Sequence, residues 1–256
     1  MGRIFVTGSA DGIGLETART LIAMGHQVVL HARNDDRARD TKAAAPGAAG
    51  VVVGDVSSLK QTRALAAAVN QYGRFDAVVH NVGIGGGARR RELTEDGIEQ
   101  IFAVNVLAPY LLTALMPAPA RLIYLTSGLA AMGRADLDDL QYERKPWNGM
   151  QAYSDSKLYD ILLAFAVARR WPQVMSNAVD PGWIKTRMGG PNAPDDLPEG
   201  AETQVWLATS DEPAAVASGR YLKRRRGLQA NPAAYDVALQ DRLLAACAEL
   251  TGEPLP

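Results

Sequence analysis

The sequence predicts an α/β fold, a three-layer doubly wound parallel sheet formed by a single domain. In the first half, short β-rich runs alternate with amphipathic stretches whose apolar residues recur at helical spacing. The β-rich runs are continuously apolar, which is typical of parallel strands buried on both faces. No composition break, repeat or low-complexity linker divides the 256 residues. We therefore expect one domain over residues 1–256.

The elements of the first half follow in regular order. Strands are expected at residues 3–7, 27–31, 50–54 and 76–81. Helices are expected between them, at residues 13–24, 35–45 and 58–72. The first helix ends at Gly25, the second ends before Pro46, and Ser57 or Ser58 can cap the third. This strand–helix–strand order is that of a doubly wound sheet.

The second half continues the same pattern with longer helices. Strands are expected at residues 121–126, 174–179 and 219–222. Helices are expected at residues 94–115, 152–171 and 232–250. Pro232 would then lie near the first turn of the last helix.

Composition excludes several classes of function. The formal net charge of −1 gives no electrostatic reason to expect nucleic acid as a partner. A single cysteine, Cys247, allows no internal disulfide and no cysteine-based zinc site. The three histidines, His26, His31 and His80, all lie in the first third, so no metal site is expected and most hydrolases are excluded. Residues 1–10 hold no apolar run long enough for a signal or a membrane span, so we expect a cytoplasmic protein without a membrane partner.

A glycine-rich turn joins the first strand to the first helix. Gly8 permits a tight turn, Gly12 lets backbone approach a pyrophosphate, and Gly14 allows close packing of helix on strand. The alternative is a tight turn without a ligand. An acid beside a phosphate would repel it, so Asp11 must point away. The dinucleotide-binding residues expected here are Gly8, Ser9, Asp11, Gly12, Ile13 and Gly14.

The end of the second strand bears on the choice of cofactor. An acid at this place would bond the ribose hydroxyls of NAD, but the chain has Arg33 and Asn34. Arg33 could pair with a 2′-phosphate, which favours NADP(H) and leaves NAD(H) as the alternative. A solvated surface arginine is the other interpretation.

Polar and small residues follow the third and fourth strands. Asp55 and Val56 come after the third, and Asn81, Val82 and Gly83 come after the fourth. Each is weak alone, since a polar residue at a strand end is commonly a cap. Their value is positional, because sheets of this type bind ligands at the carboxyl ends of their strands.

Four residues form a candidate catalytic group. Tyr153 and Lys157 are four positions apart, so they share one face of a helix. A free tyrosine has a pKa of about 10, and a nearby ammonium favours its phenolate, which would let Tyr153 exchange a proton with an alcohol or carbonyl. Ser127 ends a predicted strand, where it could polarise a carbonyl oxygen or simply cap. Asn105 is disfavoured within a helix, and holding a local kink or a relay water would explain it.

These motifs together resemble the short-chain dehydrogenase/reductase family over nearly the whole chain. The matching residues are Thr7-Gly8, Gly12, Gly14, Asp55, Asn81, Gly83, Asn105, Ser127, Tyr153, Lys157 and Pro181-Gly182. The resemblance implies a Rossmann-like domain in which Asn105, Ser127, Tyr153 and Lys157 form a proton relay. It also implies that Lys157 bonds the nicotinamide ribose. The residues implied to grip the carboxamide and phosphates are Pro181, Gly182, Ile184 and Thr186.

The sequence departs from the family pattern in three places. Val82 stands where the family usually has Ala, and Thr126 replaces a Ser that often precedes the catalytic Ser. Ser127 and Tyr153 are 26 positions apart, a longer gap than is usual. That insertion, with its Trp147, resembles the retinol-dehydrogenase-like members, which often use NADP and act on apolar aldehydes, ketones or alcohols.

Two further segments bear on substrate and partners. Residues 183–200 contain three prolines and three glycines and are predicted to form a substrate lid rather than an ordinary loop. Trp147, Met150 and Trp183 are either apolar pocket walls or core residues. The helix at 152–171 is apolar on several faces, so one face could pair with a second copy in a homo-oligomer, a dimer or a tetramer.

The sequence thus predicts an NADP(H)-dependent oxidoreductase that interconverts a small-molecule carbonyl compound and an alcohol. A non-catalytic dinucleotide-sensing module on the same fold is one alternative, although such a module need not keep Ser127, Tyr153 and Lys157 together. A methyltransferase is another, but it would want an acid where Arg33 stands.

Overall fold

The computed structural model describes residues 1–256 as one α/β domain. Its strands are β1 (Arg3–Val6), β2 (Gln27–Ala32), β3 (Gly50–Val53), β4 (Ala77–His80), β5 (Arg121–Leu125), β6 (Met175–Val179), β7 (Arg220–Lys223) and β8 (Arg226–Leu228). They form one sheet in the order β3-β2-β1-β4-β5-β6-β7-β8. All neighbours pair in parallel except β7 and β8, which are antiparallel. The predicted fold class is confirmed.

Helices cover both faces of the sheet. They are α1 (Gly12–Ala23), α2 (Asp35–Ala44), α3 (Leu59–Asn70), α4 (Gln100–Phe102), α5 (Ala108–Leu115), α6 (Gly149–Arg170), α7 (Leu197–Thr209) and α8 (Val237–Thr251). The buried residues of α1 and α7 belong to the core on one face, and those of α3, α5, α6 and α8 to the core on the other. None of these helices combines the length and the apolar composition needed to cross a bilayer.

Successive residues of the central strands enter different halves of the core. Phe5 of β1 packs in the core on the α6 side, whereas its neighbours Ile4 and Val6 pack on the α1 side. Val29 of β2 and its neighbours Val28 and Leu30 divide in the same way. Because side chains alternate along a strand, a sheet covered on both faces needs apolar residues at every position. This is the physical reason for the continuously apolar runs in the sequence.

The helix predicted over residues 94–115 is wrong over residues 94–99. Leu93 pairs with Glu99 in an antiparallel bridge, and Gly97, at a φ of 75°, closes a turn between them. The Glu99 carboxylate then accepts hydrogen bonds from the backbone N–H groups of Ile101 and Phe102, both at 2.8 Å. A buried acid therefore starts the helix six residues later than the apolar periodicity suggests.

Two elements are absent from the prediction. Residues 197–200, expected to be irregular, begin helix α7, where Asp196 and Glu199 form a capping box and Pro198 lies in the first turn. Strand β8 follows a two-residue hairpin turn made by Arg224 and Arg225, at φ values of 47° and 58°. Such turns usually carry Asn or Gly, so this one has no sequence signal.

The outer face of α6 is covered by the chain itself. Residues 158–167 are all buried, and they pack against α8 and the 3₁₀ turn Pro232–Tyr235. Leu243, Leu244 and Cys247 of α8 belong to the same core as α6. The premise that this face is free to pair with a second copy is therefore wrong, because the closing helix occupies it. That helix starts at Val237 rather than at Pro232.

His80 is a buried, neutral histidine at the end of β4. Its ring stacks on Tyr124, with 4.8 Å between ring centroids, and its Nε2 bonds the Thr113 hydroxyl at 3.0 Å. Burial lowers the pKa of His80 to about 3. The structure thus uses this histidine for packing.

We expect His80 to reduce stability in acid. Between the ordinary pKa of 6.5 and about 3, the unfolded chain binds a proton that folded His80 does not. Unfolding therefore becomes easier as the pH falls through that range, by about 2 kcal/mol from this group between pH 7 and pH 5. Urea unfolding of the wild type and of a His80→Phe variant, which keeps a planar ring, measures this contribution. The same pH dependence in both proteins would contradict it.

Candidate active site

The predicted site residues gather at one edge of the sheet. β1, β4, β5 and β6 run parallel, so their carboxyl ends all lie there. The glycine turn follows β1, Asn81 and Gly83 follow β4, Ser127 follows β5, and Pro181 follows β6. This edge is where doubly wound sheets bind their ligands.

The glycine turn is held in a conformation that side chains would prevent. Gly8 and Gly12 have φ values of 62° and 54°. A Cβ on Gly14 would lie 2.4 Å from both the Asn81 Nδ2 and the Gly8 carbonyl oxygen. Asn81 Nδ2 in turn donates to the carbonyls of Thr7 and Gly8, at 3.0 and 3.1 Å. The N-terminus of α1 thus faces the turn with bare backbone, which suits a pyrophosphate.

The charge of Asp11 is balanced by arginines. Its carboxylate lies 2.6 Å from the Arg37 guanidinium and 3.4 Å from that of Arg187. Arg37 belongs to α2 and Arg187 to the segment after β6, so the two arginines approach the glycine turn from different directions. From the sequence, Asp11 is expected to repel a phosphate bound at this turn. The two arginines reduce that repulsion.

The residues after β2 and β3 differ in what they already bind. Arg33 is exposed and has no ion pair within the chain, whereas the Asn34 side chain caps α2 by accepting from the Arg37 N–H at 2.9 Å. Ser9 is buried and uses its hydroxyl on the backbone of β1 and β2. Asp55 accepts from the N–H and hydroxyl of Ser57, at 2.9 and 2.7 Å. Half-buried Ile13 and buried Val56 present apolar surface.

Tyr153 and Lys157 lie on the face of α6 that looks toward β5. Lys157 is buried, and its Nζ lies 5.9 Å from the centroid of the Tyr153 ring. Tyr153 is half-buried, and its hydroxyl makes no hydrogen bond within the chain. A Cβ on Gly83 would lie 3.4 Å from the Lys157 Nζ, so a side chain at this position would press against the ammonium. The phenol is free to meet a ligand.

Lys157 has a partner that sequence reasoning missed. Its Nζ donates to the Asp160 carboxylate at 2.8 Å and to the Leu125 carbonyl at 2.9 Å. Burial alone would lower the pKa of Lys157, but the attraction of Asp160 and Tyr153 outweighs it and the pKa is raised. Burial raises the pKa of Asp160 to about 6, against the opposing effect of Lys157. The raised pKa of Lys157 and its 2.8 Å hydrogen bond to the Asp160 carboxylate favour the ionised pair.

Asn105 lies in a π-helical turn, Ala103–Leu107, between α4 and α5. Its side chain clamps the backbone of Ile84, accepting from the N–H at 2.8 Å and donating to the carbonyl at 3.1 Å. Its Nδ2 also donates to the Ser156 hydroxyl at 2.9 Å. The local kink suggested by this asparagine is present, and it joins the β4 edge to α6 beside Lys157.

Ser127 and Thr126 tie the end of β5 to the same place. The Thr126 hydroxyl donates to the Lys157 carbonyl, which sets β5 against α6. The half-buried Ser127 caps the 3₁₀ turn Gly128–Met132 by accepting from the Leu129 N–H at 3.2 Å. Its hydroxyl hydrogen remains available for a ligand oxygen. Both the capping and the ligand-facing interpretations thus suit this serine.

The segment that follows β6 lies at the same edge of the sheet and extends to the glycine turn. Gly182 has a φ of 99°, and its N–H donates to the buried Asp180 at 2.9 Å. Asp180 also accepts from Lys223 Nζ at 3.0 Å, an ion pair that sequence reasoning missed. Ile184 is buried. A Cβ on Gly12 would lie 3.4 Å from the Thr186 methyl, so this segment reaches the glycine turn.

The apolar residues proposed as pocket walls separate into two groups. Met150 and Trp183 are exposed, with 52% and 57% of their surface accessible, and so is Met188. Trp147 instead packs edge-to-face on Tyr142, and its indole N–H donates to the Ala88 carbonyl at 3.0 Å. Trp147 therefore serves packing.

Fold and site together define an oxidoreductase of the dinucleotide-binding α/β class. The chain belongs to the short-chain dehydrogenase family, whose model matches residues 3–135. An uncharacterized oxidoreductase of Emericella nidulans is 43% identical, covering 100% of this chain and 99% of that protein. Retinol dehydrogenase 13 of Homo sapiens is 31% identical over 99% of this chain and 85% of that protein, in line with the predicted resemblance. A crystal structure of an uncharacterized protein from Mycobacterium paratuberculosis superimposes with a TM-score of 0.85, at 27% identity, covering 100% of this chain and 95% of that one.

Proposed function

We propose that this protein is an NADP(H)-dependent oxidoreductase that interconverts a ketone or aldehyde and the corresponding alcohol. The observation that carries the proposal is the free phenol of Tyr153 beside the buried Lys157 ammonium, on the edge that also holds the bare glycine turn. When bound, the nicotinamide supplies or accepts the hydride. The protein itself has to bind, orient and exchange one proton.

The residues at this edge of the sheet can be assigned to successive parts of the dinucleotide. The glycine turn and the N-terminus of α1 would hold the pyrophosphate, and Arg33 would pair with the 2′-phosphate of NADP. Lys157 would bond the nicotinamide ribose. The other residues proposed to line the cofactor are Asn34, Asp55, Val56, Asn81, Val82, Gly83, Pro181, Gly182, Ile184 and Thr186.

The proton step follows from three side chains. The Tyr153 hydroxyl would donate its proton to the carbonyl oxygen during reduction and recover it in the reverse direction. The Ser127 hydroxyl would donate a hydrogen bond to the same oxygen and stabilise its developing charge. The Lys157 ammonium favours the phenolate that remains on Tyr153. Asn105 supports the relay by holding α6 against the β4 edge.

The surroundings favour an apolar substrate under a lid. Met150, Trp183 and Met188 expose large apolar side chains near the site. We propose that residues 183–200 act as the lid, although their last part is the start of α7. The Arg187–Asp11 pair ties this segment to the glycine turn. A lid that contacts the cofactor site would couple substrate closure to cofactor binding.

The experiment compares NADPH and NADH across a panel of ketones and aldehydes, followed by the absorbance of the reduced cofactor. We expect reduction with NADPH to be preferred, and Arg33→Ala to raise the KM for NADPH by roughly 10-fold or more while the KM for NADH changes little. Arg39→Ala is the matched control, since Arg39 is an exposed α2 arginine that pairs only with Asp36. Preference of the wild type for NADH would refute the cofactor proposal. No carbonyl reduction with either cofactor would refute the activity.

A further inference from the structure

The Lys157 ammonium has a buried counter-charge. Asp160, one turn further along α6, is almost completely buried, with 3% of its side chain exposed, and Lys157 with 6%. The Lys157 Nζ is the hydrogen-bond donor that this carboxylate has in the chain, at 2.8 Å. An acid buried at this depth is costly unless it is paired. Its place beside the residue that favours the Tyr153 phenolate therefore requires an explanation.

We propose that the Asp160 carboxylate positions the Lys157 ammonium and compensates its charge, and so determines how strongly Lys157 favours the phenolate form of Tyr153. Asp160 is a positioning residue, because its buried side chain contacts Lys157 and would act through it. This inference rests on the proposed role of Tyr153 as the proton donor.

The geometry divides the three protons of the ammonium. One is directed to Asp160 and one to the Leu125 carbonyl, so the direction of the third is fixed by the first two. The open side of the Nζ is the one bordered by Gly83, toward the ligand edge. Asp160 therefore pre-orients the remaining donor toward the place where a ribose hydroxyl would lie.

The charges around Asp160 leave Lys157 as its counter-charge. Of the ionisable groups on α6, Lys157 is the one that bonds Asp160, and Tyr153 lies on the other side of Lys157. On β5 the neighbour is Tyr124, whose pKa Asp160 helps to raise. The ring of His80, on β4, stacks on the ring of Tyr124. Burial raises the pKa of Tyr124 and lowers that of His80, so both are neutral at pH 7. A carboxylate this close to the ammonium reduces its net field at Tyr153.

Asp160→Asn tests this charge compensation with almost no change in shape. The amide oxygen still accepts from Lys157, but the negative charge is gone. Burial then lowers the pKa of Lys157 without opposition from Asp160, whereas the Tyr153 phenolate still raises it and so keeps the ammonium charged once the phenol has ionised. The uncompensated ammonium therefore favours the phenolate more strongly. We expect the midpoint of phenolate formation at Tyr153 to fall by about one pH unit or more. The signal is the near-ultraviolet phenolate absorbance, from which the titration of Tyr153→Phe is subtracted. The alkaline limb of carbonyl reduction should move by the same amount.

A second background shows whether the effect passes through Lys157. In Lys157→Gln, adding Asp160→Asn should shift the midpoint by less than half as much. An equal shift in both backgrounds would overturn the proposal, as would an unchanged or higher midpoint in Asp160→Asn alone. Asp160→Ser, which leaves room for water beside the ammonium, should shift the midpoint in the same direction. This variant replaces Asp160→Asn in the experiment if Asp160→Asn does not fold.

The titration needs no turnover, so the two hypotheses can fail separately. A lower midpoint without any movement of the alkaline limb would leave the Asp160 proposal standing and refute Tyr153 as the proton donor. An unchanged midpoint in an active enzyme would refute the Asp160 proposal alone.

Discussion

Tyr153→Phe is expected to reduce the rate of carbonyl reduction by roughly 10²- to 10⁴-fold, the usual contribution of a positioned proton donor. The substitution removes one oxygen atom and keeps the ring. Because the Tyr153 hydroxyl makes no hydrogen bond within the chain, its loss should leave the fold and the thermal midpoint unchanged. NADPH binding, followed by fluorescence titration, should stay within about 2-fold, since the cofactor contacts come mainly from other residues.

Tyr72→Phe is the matched control for this variant. The Tyr72 hydroxyl lies beside Gly50, where β3 begins, on the sheet edge opposite the site. Its removal should leave the rate unchanged. If Tyr153→Phe reduces carbonyls as fast as the wild type, the phenol is not the proton donor. If the two rates are equal because the wild type itself shows negligible turnover, a non-catalytic dinucleotide-binding module becomes the better interpretation.

Most of the sheet could be predicted because the physical signal is strong there. Every position of a strand covered on both faces needs an apolar side chain, so runs such as that from Ile4 to Val6 are unmistakable. The start of α4 could not be read in this way. The buried Glu99 caps this helix by accepting from two backbone N–H groups. The turn at Gly97 interrupts a stretch whose apolar residues recur at helical spacing.

The missed helix and hairpin have different causes. The start of α7 does carry a signal, because Asp196 and Glu199 have capping-box spacing with Pro198 between them. The hairpin before β8 carries none. Arg224 and Arg225 adopt positive φ there, supported by ion pairs of 2.8 Å to Asp195 and 3.0 Å to Glu202. Such partners come from another element and are invisible in the local sequence.

The site residues also separate into those with a local sequence signal and those without one. Tyr153 and Lys157 could be placed on one helix face from their spacing alone. Asp160 has an equally suitable spacing to Lys157, three positions, yet spacing cannot say that the ammonium turns inward to meet it. The pair between Asp180, which follows β6, and Lys223 of β7 joins residues 43 positions apart, so no local pattern could reveal it. Side-chain direction in a buried site is decided by packing, not by periodicity.

Gly14→Ala is expected to lower both stability and cofactor affinity. The new Cβ would lie 2.4 Å from the Gly8 carbonyl oxygen and from Asn81 Nδ2, closer than atoms can approach. Helix α1 would therefore have to move away from the turn, at a cost of about 1–3 kcal/mol in the free energy of unfolding. The same movement would misdirect the backbone N–H groups that would hold the pyrophosphate, so we expect the Kd for NADPH to rise by roughly 10-fold or more.

The sign of the stability change makes this test sharp. In a helix without steric conflict, replacing Gly by Ala stabilises by about 1 kcal/mol, because Ala has the higher helix propensity. A more stable Gly14→Ala protein with unchanged NADPH affinity would therefore show that the turn has room to spare, which would contradict the close packing of α1 on β1. Gly87→Ala is the matched control, since a Cβ there meets no atom within 4 Å, and both its unfolding free energy and its NADPH affinity should match the wild type. Urea unfolding and fluorescence titration of the three proteins distinguish these outcomes, because a steric effect lowers stability where propensity alone would raise it.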